Sequence, residues 1–132
     1  MQPIVGVMLW SLLAFEAKHF ICDFVIQTAW QVRTKGIYGH PGGFLHAGLH
    51  AVTSLPAIIV WGPSLPLIAA IVGAEFVIHY HMDWFKEHIG RRKGLKVDMG
   101  AYWTLFGFDQ FVHQLTYVGF LALLAGAFGQ VL

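Results

Sequence analysis

Charge is scarce in this chain and cysteine is nearly absent. Of 132 residues, 11% are charged and only one, Cys22, is a cysteine. A lone cysteine excludes an internal disulfide framework and any Cys-x-x-Cys metal or redox motif; beside Asp23 in an apolar helix it reads as a small packing residue. So few charges among 57% hydrophobic residues, with a mean hydropathy of +0.63, exclude an ordinary soluble domain. Low-complexity tracts and internal repeats are also missing, so residues 1–132 are read as one domain. The N-terminus lacks a basic region, and its first apolar stretch runs into polar helix rather than a small-residue cleavage site. The first helix is therefore expected to remain as a membrane span. Arg91-Arg-Lys93 is the only basic run, too little to suggest a nucleic-acid partner.

What is present is apolar sequence in span-sized lengths. About 20 helical residues cross a hydrocarbon core of ~30 Å, and only helices or closed barrels satisfy their backbone groups there. The apolar segments predict an all-α, integral membrane four-helix bundle with spans at Ile4–Trp30, Phe44–Trp61, Leu65–Phe85 and Ala101–Phe128. Gly36, Gly39, Pro41, Gly42 and Gly43 mark the first connection as a loop. Trp61-Gly-Pro-Ser-Leu-Pro66 reads as a tight turn whose tryptophan suits the bilayer interface. The third connection, Lys86 to Gly100, is the most polar stretch.

The two odd connections carry Arg33, Lys35, Lys86, Arg91, Arg92, Lys93 and Lys96, whereas the termini and the second connection carry no Lys or Arg. The positive-inside rule then predicts two basic loops in the cytoplasm and both termini outside, as in a multi-pass protein of a bacterial inner membrane.

Against this apolar background stand four pairs at i, i+4 spacing: His19 and Asp23, His46 and His50, His79 and Asp83, Asp109 and His113. That spacing stacks both members on one helix face. With ~1.5 Å of rise per residue, all four pairs fall within roughly 5 to 20 Å of the cytoplasmic surface, although neighbouring helices run antiparallel. Agreement in depth points to one shared site. An aspartate at the bilayer centre costs about 2.5 to 3.5 kcal/mol on insertion scales, so such groups face the bundle interior and mark function by default. Interhelical glue, worth about 0.6 kcal/mol per contact, explains one or two of them but not the set.

Imidazole and carboxylate donors without thiolate suit a divalent transition metal: zinc first, with iron, manganese and nickel as alternatives. The inventory is large enough for one ion with its outer partners or for two. Nitrogen donors are expected from His19, His46, His50, His79 and His113, with Asp23, Asp83 and Asp109 as oxygen ligands or orienting groups. Glu75, one turn before His79, is the candidate general base, with a hydrogen bond to that histidine as its other role. Gln27, Gln110 and Lys86 are candidate substrate contacts, each with an ordinary alternative as structural amide or snorkelling lysine. His81 lies on another helix face, and His40 and His88 fall in loops. The single Glu16-x-x-His19 has the spacing used in di-iron bundles, but a second copy is missing.

At these residues the chain resembles the DUF3307 family of small bacterial and phage membrane proteins. The matching stretches are His19-Phe-Ile-Cys-Asp-Phe-Val-Ile-Gln-Thr28, His46-Ala-Gly-Leu-His50, His79-Tyr-His-Met-Asp-Trp-Phe-Lys86 and Asp109-Gln-Phe-Val-His113. The resemblance spans almost the whole chain and implies a four-helix membrane protein of unassigned biochemical role. Glu16 and Lys18, inside the first span, depart from the usual pattern.

The expected function is a membrane-embedded, zinc-type hydrolase acting on a lipid-linked or amphipathic substrate from the cytoplasmic leaflet, with membrane lipid as its surroundings. A metal-ion or proton transporter or channel subunit is the alternative; it needs a polar path through the outer half and, at this length, a homo-oligomer. Haem ligation between facing histidines is a third reading, which leaves the aspartates unexplained.

Overall fold

The structure, a computed structural model, describes residues 3–128. Six α-helices carry the chain: α1 (Pro3–Phe20), α2 (Ala29–Thr34), α3 (Pro41–Thr53), α4 (Leu55–Ile59), α5 (Leu65–Arg92) and α6 (Gly100–Phe128), with a π-helical turn at Ile21–Val25 after α1. No strand occurs among the described residues. Four helical stretches are long and apolar enough to cross a membrane: Ile4–Val25, Pro41–Ile59, Leu65–Arg92 and Gly100–Phe128. This is a multi-pass, all-helical membrane protein.

The spans close into a ring. α1 packs on α6, α6 on α5, α5 on α3, and α3 with α4 returns to α1. Its interior is divided. One half holds an apolar cluster of Phe15, Ala57, Ile58, Trp61, Ile71, Tyr117, Phe120, Leu121 and Leu124. The other half, toward the basic loops, is filled by His19, His46, His50, His79, His113, Asp83 and Asp109. Leu13, Phe24, Val25, Val52, Leu65 and Trp103 point outward, so the apolar surface faces lipid and the polar residues face each other.

Three boundaries differ from the hydropathy reading. The first span stops at Val25 instead of Trp30, because Thr28 and Gln31 form a capping box that starts α2 as a separate helix. The second begins at Pro41, with His40 capping through Nδ1 from the Gly42 N–H, and breaks at Ser54, two residues before Pro56, which lacks the N–H to continue the ladder. The third runs to Arg92 rather than Phe85: the fall in hydropathy at Lys86 marks the end of apolar surface, and the helix continues as a polar one that includes His88, expected in a loop. It then ends in a Schellman motif, in which Leu95 N–H donates to Gly90 O (2.9 Å) and Gly94 N–H to Arg91 O (3.1 Å). Gly94 takes the positive φ of 61° that this motif requires. Trp61 also departs from its expected interfacial role; it turns into the bundle and donates to Ser11 Oγ at 2.9 Å.

Candidate metal centre

Each i, i+4 pair contributes to one buried centre because each sits on the inward face of its helix. The π-helical turn aims Asp23 at α3: the extra residue per turn, closed by Ile26 N–H to Ile21 O at 2.9 Å, rotates the chain after His19. Asp23 Oδ1 lies 3.0 Å from His46 Nε2 and 3.2 Å from His50 Nε2. From α5, His79 Nε2 approaches His46 Nε2 to 3.4 Å, and Asp83 Oδ2 lies 3.0 Å from the same His46 nitrogen. From α6, His113 Nε2 lies 3.7 Å from Asp83 Oδ1 and 3.3 Å from Asp109 Oδ1.

Two ligand sets emerge, Asp23/His46/His50/His79 and His79/Asp83/His113, each with donor atoms within 4.8 Å of one another. They share His79. A tetrahedral ion with bonds of about 2.1 Å has ligand–ligand edges of about 3.4 Å, and the contacts above straddle that length. Hydrogen bonding alone leaves the centre unfinished. Both oxygens of Asp83, Asp109 Oδ1 and His113 Nε2 are buried and make no well-directed hydrogen bond; Lys35 and the imidazole nitrogens, 3.0 to 3.7 Å away, offset only part of the cost of burying them in a dry interior. Donor identity, spacing and these poorly directed contacts all fit a cation among them.

The remaining predicted residues surround the two sets. His19 belongs to neither; its Nε2 meets Asp23 Oδ2 at 3.1 Å and Gln110 Oε1 at 3.2 Å, and its Nδ1 meets the Tyr117 hydroxyl at 3.0 Å. It holds Asp23 in place. Asp109 is fixed through Oδ2 by Gln110 Nε2 (3.0 Å) and Lys86 Nζ (3.4 Å). Gln27 Nε2 lies 3.0 Å from His46 Nε2. Glu75 lies outside both sets: its Oε1 is bound by Lys18, which also donates to His50 O at 3.1 Å and rides 4.5 Å over the Tyr117 ring. The departure noted at Lys18 is thus an ion pair with Glu75, not with Glu16. His81 is exposed and bonds Tyr38, consistent with its other helix face.

Lys35 and Tyr117 are the residues that sequence reasoning missed. Lys35 is buried with Nζ 3.2 Å from Asp83 Oδ2. The Thr28-x-x-Gln31 cap that begins α2 was the available signal for a chain turning back into the bundle. Tyr117 continues the Asp109, His113 spacing by one more turn.

A family model described as "Protein of unknown function (DUF3307)" matches residues 9–128. The chain belongs to the DUF3307 family. All of the centre, from His19 to Tyr117, lies inside the matched region of this DUF3307 protein. No curated protein and no solved structure matches the chain.

Proposed function

We propose that this DUF3307 protein holds a divalent transition metal, zinc foremost, and hydrolyses a lipid-linked or amphipathic substrate taken from the cytoplasmic leaflet of a bacterial inner membrane. One observation carries the reading: buried and half-buried imidazole and carboxylate atoms from the four spans gather into two ligand sets that share His79, each with its donor atoms within 4.8 Å of one another. Such an ion, when bound, supplies Lewis-acid activation of the scissile group and of water. The chain's own residues divide the remaining work. Asp23, His46, His50 and His79 form the fuller ligand set, and His19 orients Asp23. Lys86 and Gln110 secure Asp109 Oδ2, and Oδ1 has only the His113 imidazole beside it at 3.3 Å, so Asp109 is the carboxylate we assign to accept a proton from the attacking water. Sequence reasoning gave that role to Glu75, which lies outside both ligand sets with its Oε1 paired to Lys18.

The apolar cluster closing the half of the bundle away from the basic loops favours a closed site over a transporter's transit path. Aspartates set among the imidazoles disfavour haem.

Metal analysis after gentle detergent extraction is the direct test. A stoichiometric transition metal is expected, lost in His46→Ala and His79→Ala variants that retain helical circular dichroism, together with hydrolysis of lipid-linked esters or phosphoesters that chelators abolish. Metal-free wild-type protein, or activity indifferent to chelators, sinks the reading.

A further inference from the structure

Between α2, the basic end of α5 and the start of α6 lies a cavity of about 420 Å³, within the range of ~300–1,000 Å³ typical of small-molecule sites. Its charge is one-sided: Lys35, Lys86, Arg91 and Lys96 line it against one carboxylate, Glu87. The cations form two tiers. Lys35 and Lys86 are largely buried and sit at the floor, whereas Arg91 and Lys96 are exposed at the rim. Arg91 is held there by Nη2 donating to Arg33 O at 2.8 Å and lying 3.9 Å from Glu87. Val32, Leu105 and Phe106 supply the apolar part of the lining, Phe106 with its ring 5.6 Å from Lys86 Nζ.

The floor is also the boundary of the metal centre. Lys35 touches Asp83, Lys86 touches Asp83 and Asp109, and Gln27 lines the cavity while contacting His46. Lys35 and Lys86 are neutralised by these aspartates as long as the aspartates face no other cation, and Lys86 also lies 3.6 Å from Glu87. If a metal draws the aspartates, Lys35 becomes available to an anion on the cavity side, while Lys86 keeps only Glu87 as its partner.

We propose that the cavity binds the phosphate group of an amphiphilic phosphate monoester, with its first methylenes against Val32, Leu105 and Phe106. Up to two negative charges and three acceptor oxygens match a tiered set of cationic donors better than a single carboxylate does. The apolar part of the lining distinguishes an amphiphile from free phosphate. The contribution of the floor lysines rests on the metal reading above; the rim cations, Arg91 and Lys96, act whether or not a metal is bound.

The test uses the full chain in an uncharged detergent, with metal content measured on every sample and hexyl phosphate, hexanol and inorganic phosphate titrated calorimetrically. Hexyl phosphate is expected to bind saturably and hexanol not. The R91A/K96A double variant should lose about tenfold in affinity at unchanged metal content, and Leu105→Ala should weaken hexyl phosphate alone. Equal affinity for inorganic phosphate would overturn the amphiphile in favour of free phosphate. Absent phosphate binding, or undiminished affinity in R91A/K96A, would overturn the site. Phosphate binding in protein that never carries metal sinks the hydrolase reading and leaves this one standing.

Discussion

Single charged side chains in this bundle are placed where lipid would penalise them most, and they meet opposite charge across the helices. Lys18 shows the rule. Its ammonium reaches Glu75, the His50 carbonyl and the Tyr117 ring, so its charge is compensated from α5, α3 and α6 together. Breaking one side of such a pair leaves the other charge buried and unpaired, at a cost of about 3–5 kcal/mol. Lys18→Met is therefore expected to lower the unfolding midpoint sharply, and Lys18→Met/Glu75→Gln to recover much of the loss. Thermal melts in detergent check this; a single variant as stable as wild type would refute the pairing. That Glu75 faces the bundle interior was legible in its spacing from His79, but its partner was not, because an i, i+4 pattern orders residues along one helix and says nothing about what faces them from another. The same limit hid Lys35, which sequence reasoning assigned to a loop.

At the scale of elements, short polar signals override hydropathy. The helices were legible because long apolar runs have no other stable form in lipid. Their ends were not, since the capping box at Thr28 and Gln31 lies in a stretch still apolar enough to continue the first span. That cap sets the direction of α2 and so delivers Lys35 to Asp83. Thr28→Ala should cost about 1 kcal/mol of stability and raise amide exchange at Gln31 and Val32, as followed by hydrogen-exchange mass spectrometry. Unchanged exchange there would mean that packing on α3, rather than the cap, holds α2. Gly36 keeps the following turn tight against α5, where an added Cβ would come within 2.6 Å of Glu87 Cβ.

For the whole molecule, the decisive quantity is charge balance. Asp23, Glu75, Asp83 and Asp109 face Lys18, Lys35 and Lys86 in and against the centre, so with neutral imidazoles one negative charge is in excess. The divalent cation proposed above would more than offset it. Ligand linkage contributes about 4 kcal/mol at a thousandfold excess over the dissociation constant, so chelation should lower the melting temperature, followed by tryptophan fluorescence, and added zinc should restore it. Superimposable melts with and without chelator would argue against a structural cation.

On the proposed reading, the apolar cluster that fills half the ring leaves the centre a single door. Whatever reaches it would then retreat by the path it came in on, so arrival and departure would compete for the same opening. The composition of one compartment would set the equilibrium inside.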